Sequence, residues 1–169
     1  AKYKNRVKEK RNQKQQLEDY ELESISRTVE QREEEQRSNL IHSISINKEI
    51  KYKNAKQKEL VKLILENQIT IIRGAAGTGK SLLSLKAALE ILKTGQNGIN
   101  NIVLTKPIVE AGESVGFLPG DIKEKTDPYM QSFIENLHEL IGKTPTRNLL
   151  DSGAIKSAPL SYIRGNTFR

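Results

Sequence analysis

Arg73-Gly74-Ala75-Ala76-Gly77-Thr78-Gly79-Lys80-Ser81, RGAAGTGKS in one-letter code, sets a run of small residues against one lysine and one hydroxyl. Neither regular structure explains it. Each glycine in a helix interior would cost about 1 kcal/mol relative to alanine, and in a strand it would leave nothing to pack. Bare backbone is useful where a ligand must approach the main chain itself. The stretch fits G-x-x-x-x-G-K-[ST], the P-loop, a pattern that arises by chance in about one chain per hundred of this length, given ordinary residue frequencies. In such a loop the successive amides of Gly74, Ala75, Ala76, Gly77, Thr78 and Gly79 form an anion cradle that side chains would block. The next helix adds the amides of Lys80, Ser81 and Leu82 and the positive end of its dipole. Lys80 reaches the outer phosphates of a nucleotide, and the Ser81 hydroxyl can hold Mg²⁺.

The flanks supply the context the motif requires. Upstream, AKQKELVKLILEN places Leu60, Val61, Ile64 and Leu65 at helical intervals, and QITIIRG then reads as a short buried strand ending in glycine. Downstream, Leu82, Leu85, Leu89 and Leu92 mark one face of an amphipathic helix that Gly95 closes. Residues 101–105, NIVLT, read as a second buried strand. Asp127 and Pro128 read as the cap and first-turn proline of a third helix, with Met130, Phe133, Ile134, Leu137 and Ile141 on its inner face. Helices alternating with strands over crossovers of this length predict an α/β fold around a parallel sheet.

Residues 1–47 read differently from residues 48–169. The opening AKYKNRVKEKRNQKQQ carries a net charge of +6, and the following LEDYELESISRTVEQREEEQRS carries −5. Opposed blocks of this kind predict a charged arm, helical or flexible, with little core of its own. Leu22, Ile25 and Val29 sit at helical spacing, but Arg32 interrupts that seam. The 169 residues carry a net charge of +7 and no cysteine. That composition gives no disulfide framework, and no apolar run approaches the roughly 18 residues that span a bilayer. A soluble, cytoplasmic protein without a membrane partner is expected. His42 and His138 lack partners at metal-ligand spacing.

Four stretches together resemble one family. They are the P-loop, LTKPIVEAGESVGFLPGDIKEKTDPY (residues 104–129), IKSAPLSYIRGNTF (residues 155–168) and NAKQ (residues 54–57). They look like the PhoH family of phosphate-starvation-type ATPases, in a phage-type form, and the long middle stretch is the distinctive part. The resemblance covers residues 50–169 and not the arm. It implies a RecA-like P-loop NTPase core, three layers αβα around a parallel sheet and close to superfamily-one helicases. It also implies hydrolysis of ATP with Mg²⁺ in a bacterial cytosol, hexameric rings, and RNA or single-stranded nucleic acid as partner. By position, Gln57 resembles the glutamine that reads the adenine edge. Thr105, Lys106 and Pro107 stand where helicase relatives contact nucleic acid. Arg164 and Thr167 lie in RGNT, where Arg164 can touch a phosphate of the nucleic acid or of a neighbour's ATP, so Lys80 and Arg164 are the catalytic candidates. The family usually carries a second arginine where Asn166 stands. Glu110 and Glu113 read as structural or ring-contact residues more readily than as an acid–base pair.

The family's Walker B run, an aspartate-glutamate pair that holds Mg²⁺, would follow soon after Thr167, and the chain stops at Arg169. The expectation is an incomplete portion of the domain, inactive alone, with apolar strand edges exposed because strands of the other portion lie between the two strands present. Three readings stay open: an ATPase coupled to nucleic acid, a nucleotide-gated assembly protein, and a small-molecule kinase, the last fitting the loop but not residues 104–129.

Overall fold

The computed structural model describes residues 2–47, 50–107 and 122–163. Two compact units emerge, Ala1–Asn39 and Leu40–Arg169. The first is the bulk of one long helix, α1 (Lys2–His42). Its Tyr20, Leu22, Ile25 and Val29 are exposed, and local bonds such as Arg27–Glu23 at 3.6 Å and Thr28 Oγ1 to the Ser24 carbonyl at 2.8 Å line its surface. The charge blocks therefore form a helix with no buried stripe of its own among the described residues.

The second unit begins with the last turn of α1. Ile41 and Ile44, within the residues grouped above with the arm, are buried in its main core. Two hydrogen bonds fasten this entry segment. The Asn47 N–H donates to the Leu140 carbonyl at 2.7 Å, and Lys93 Nζ donates to the Ile44 carbonyl at 2.6 Å. Next comes α2 (Ala55–Glu66), capped by the Asn54 side chain, which accepts the Gln57 N–H. After the glycine loop, α3 (Lys80–Thr94) ends at Gly95 in the left-handed region, at φ 62°. A 3₁₀ turn at Gln96–Gly98 returns the chain to β1 (Ile102–Lys106). α4 (Ile122–Ile141) and α5 (Lys143–Asp151) follow, then β2 (Ile155–Pro159) and the short α6 (Leu160–Ile163). β1 and β2 pair in parallel, with Ile102 opposite Ile155 and Lys106 opposite Pro159. The mixed helix–strand order with a parallel pair is the α/β class that the sequence predicts.

The periodicities hold on the packed faces. Leu85, Leu89 and Leu92 of α3 meet Leu137, Leu140 and Ile141 of α4, with Leu104 of β1 and Ile155 of β2, in one cluster; Leu82 packs at its margin. α3 also has a second apolar face. Leu83 and Ala87 close on Val61 of α2, with Leu60, Ile64 and Leu65 around them. α3 is thus packed from two sides, which gives its N-terminus a rigid base.

The structure corrects the sequence reading in three places. Residues 69–72 form no ladder among the described residues, and Ile69 and Ile71 are 84% and 92% exposed rather than buried. A strand needs hydrogen-bonding neighbours as much as β-branched residues, and the described sheet contains β1 and β2 alone. α4 begins at Ile122 instead of at Asp127–Pro128. Proline removes one backbone donor, and the helix-forming run ahead of it continues the helix back by a further turn. Finally, α5 and β2 stand where the sequence pattern predicts no element. In β2, Lys156, Ser157 and Pro159 hide the strand signal, although Ala154 and Ile155 are fully buried.

Candidate nucleotide-binding site

The glycine loop joins residues 69–72 to α3. Gly77 and Gly79 take φ 72° and 82°, the left-handed region that a side chain makes costly. At Gly79 space is also short, because a Cβ there would stand 3.4 Å from Gln57 Nε2. Gly79 is the N-cap of α3 and offers no side-chain cap. The first bond within the helix is the Leu83 N–H to the Gly79 carbonyl, at 2.9 Å. The amides of Lys80, Ser81 and Leu82 therefore precede the helical ladder and point out of the helix end. Ser81 is exposed on this first turn, and Leu82 is half-buried beneath it.

Lys80 folds back over the loop that precedes it. Its Nζ donates to the Ala75 carbonyl at 2.5 Å and lies 3.5 Å from Thr78 Oγ1. Thr78 Oγ1 in turn donates to the Ala75 carbonyl at 2.9 Å. The loop is thus closed around its own ammonium group. Gly74 completes the arrangement: a Cβ there would lie 3.6 Å from both Lys80 Cδ and Thr78 Oγ1. Bare backbone, helix-end donors and one lysine fit a polyphosphate tail, and added side chains would fill the cradle. A hollow of about 420 Å³ opens beside it, lined among others by Asn54, Gln57, Ile72, Gly74, Thr78 and Lys80. A larger hollow of about 620 Å³ lies between α2, α3 and residues 96–99, with Ile64, Leu65, Ile72, Ile91 and Ile99 in its wall. No lysine or arginine lines it, whereas Lys56, Arg73 and Lys80 line the smaller one.

Gln57 is half-buried at the border of α2 and the loop. Its Oε1 accepts the Lys53 N–H at 2.6 Å and its Nε2 donates to the Thr78 carbonyl at 3.1 Å. The segment before it is fastened to α3 through Lys86. Lys86 Nζ sits 2.6 Å from Glu90 Oε1, donates to Tyr52 Oη at 3.4 Å, and lies 5.4 Å from the Tyr52 ring centroid. Burial pulls the Lys86 pKa down, but the bond and charge of Glu90, with Tyr52 adding to them, leave it raised above its usual value. The raised pKa means the folded state holds this proton more tightly than the unfolded one. Its stabilising contribution is complete below the ordinary lysine pKa and is lost as pH rises through the raised value.

Thr105, Lys106 and Pro107 are exposed at the C-terminal end of β1. β1 follows α3 after the short link 95–101, and its Leu104 lies in one apolar cluster with Leu85, Leu89 and Leu92 of α3. The C-terminal ends of parallel strands are where α/β sheets bind ligands. Arg164 and Thr167, with Glu110, Glu113 and Asn166, lie outside the described residues. Among the described residues no cluster of three or more histidine, cysteine, aspartate or glutamate side chains could hold a metal ion. Two acidic residues of the C-terminal part are engaged locally: Asp151 with Arg147 at 3.6 Å, and Glu135 with Gln131 at 3.2 Å. No described helix is long and apolar enough to cross a membrane. The Asn54–Lys53–Gln57 arrangement is only partly legible in NAKQ, whose glutamine stands out by position while its asparagine cap does not.

A left-handed glycine loop leading into a lysine-headed helix has the geometry of the P-loop class. Within that class the chain belongs to the PhoH-like protein family, whose model matches residues 49–169. It is 46% identical over 120 residues to a PhoH-like protein of Bacillus subtilis (strain 168), covering 71% of this chain and 37% of that one. It is 33% identical over 156 residues to Protein PhoH of Escherichia coli (strain K12), covering 85% of this chain and 44% of the relative. A PhoH-like protein of Synechocystis sp. is 38% identical over 118 residues, covering 70% of this chain and 35% of that one. The chain thus spans less than half the length of these relatives.

Proposed function

We propose that the full-length protein binds Mg–ATP at residues 74–82, hydrolyses it, and couples turnover to RNA or single-stranded nucleic acid within a three-layer RecA-like core. The observation that carries the first part is the loop itself: left-handed Gly77 and Gly79, the amides of Lys80–Leu82 ahead of the helical ladder, and Lys80 Nζ held over the cradle. The loop amides and Lys80 would hold the phosphates, and the Ser81 hydroxyl would hold the metal. Bound Mg²⁺ supplies charge neutralisation across the outer phosphate oxygens. Lys80 exchanges its internal carbonyl partner for phosphate oxygen, a charge-assisted and stronger bond.

The nucleic-acid part is supported by the exposed Thr105, Lys106 and Pro107 at the C-terminal end of β1, where a hydroxyl and an ammonium suit phosphate contact. Calorimetry with Mg–ATP and turnover assays with and without polynucleotide test the whole reading. Heat on nucleotide addition together with polynucleotide-stimulated turnover is expected. Turnover indifferent to polynucleotide, with nucleotide shifting oligomeric size, would favour the assembly reading instead. Lys106→Ala should weaken RNA binding and shallow its salt dependence by about one unit of slope while nucleotide affinity stays at the parent value. An unchanged slope counts against Lys106 as a phosphate contact.

A further inference from the structure

Gln57 does more in this fold than face a ligand. Its carboxamide bridges two backbone segments, taking the Lys53 N–H on Oε1 at 2.6 Å and giving Nε2–H to the Thr78 carbonyl at 3.1 Å. The partners dictate the amide's orientation, since an N–H must meet oxygen and a carbonyl must meet nitrogen. Asn54 Oδ1 holds the Gln57 N–H at 3.0 Å, so the residue is anchored at both ends.

The consequence runs through peptide planarity. The Thr78 carbonyl and the Gly79 N–H belong to one trans peptide plane and point in opposite directions. Fixing that carbonyl on Gln57 aims the Gly79 N–H to the side away from Gln57. Gly79 is held at φ 82°, a region from which a glycine can readily move. The Gln57 bond to the Thr78 carbonyl is a side-chain tether on that peptide. The Gln57 amide stands close enough for the purpose, with Nε2 only 3.4 Å from where a Gly79 Cβ would lie.

We propose that Gln57 is a positioning residue, a latch that holds the 78–79 peptide in its phosphate-accepting orientation, so that its contribution to nucleotide affinity is delivered through the triphosphate tail and not through the base. The proposal rests on the reading that this loop binds nucleotide. One amide donor and one acceptor lone pair are already spent on backbone, which leaves half of the group for any base edge.

The test uses the full-length protein, its Gln57→Ala and Gln57→Glu variants, and three probes: Mg–ATP, Mg–GTP and Mg–tripolyphosphate, which has no base. Gln57→Glu keeps an acceptor for Lys53 and turns an oxygen toward the Thr78 carbonyl, releasing the latch with almost no change of shape. Both variants should lose affinity for ATP and tripolyphosphate by the same factor, about tenfold for one lost hydrogen bond and its pre-organisation. The preference for ATP over GTP should stay within about twofold of the parent. A collapse of that preference with tripolyphosphate binding unchanged would make Gln57 a base reader and overturn the latch. Unchanged affinity for all three probes would also overturn it. A parent protein that binds none of them refutes the P-loop reading itself, and the latch with it.

Discussion

Lys80→Ala in the full-length protein should abolish ATP turnover, lowering kcat by at least about a hundredfold, while the fold stays intact. Removing one pre-organised charge aimed at a developing negative transition state commonly costs about 10²–10³ in rate. The structure explains why the fold should not follow. The bonds of Lys80 Nζ run to the Ala75 carbonyl and Thr78 Oγ1, both within the loop, and the side chain makes no part of either apolar cluster. The thermal midpoint should therefore move by no more than about 2 °C, as for a substitution outside the core. Affinity for Mg–ATP should fall less than the rate does, because the loop amides and the α3 N-terminus remain in place. Turnover within about threefold of the parent would remove Lys80 from the chemistry. A large loss of thermal stability would instead assign it a structural part that its contacts do not predict.

The loop is legible in the sequence because its requirement is local: glycines where φ must be positive, then a lysine and a hydroxyl at the helix start. The amphipathic faces of α2 and α3 are legible for a similar reason, since a periodicity of apolar residues survives without knowledge of the partner. The second face of α3, Leu83 and Ala87, is hidden because it faces α2, and one helix cannot announce what packs on its flank. Residues 69–72 show the opposite failure. Their β-branched run satisfies local preference, yet a ladder is a property of two segments, and Ile69 and Ile71 stay exposed where no described neighbour pairs with them. β2 fails in reverse. Its polar Lys156 and Ser157 weaken the pattern, while pairing with β1 and burial of Ile155 make it a strand. Position in the chain singles out Gln57, but its two bonds are invisible there, because Lys53 and Thr78 lie on either side of it and reach its carboxamide only in the folded unit.

Leu89→Ala should destabilise the second unit by about 2–5 kcal/mol, a large fraction of the roughly 5–15 kcal/mol that holds a typical domain folded. Leu89 is 0% exposed in the middle of α3, within the cluster that joins α3 and α4 to Leu104 and Ile155 of the two strands. Truncation removes its apolar contacts and leaves a void that packing from both flanks of α3 prevents from collapsing. Leu22→Ala is the matched control, because Leu22 is 65% exposed on α1 and its loss should stay within about 0.5 kcal/mol. Urea unfolding should show a lower midpoint for Leu89→Ala with the slope unchanged. A loss below about 1 kcal/mol would mean that α3 is not the packed support described here. The variant also links the core to the site. α3 carries the phosphate donors at its N-terminus, so bound Mg–ATP should return part of the lost stability, in proportion to the logarithm of nucleotide concentration over its dissociation constant. Recovery by nucleotide in Leu89→Ala, and its shift to higher nucleotide concentration when Lys80→Ala is added and binding is weakened, would tie the loop's ligand to the helix beneath it.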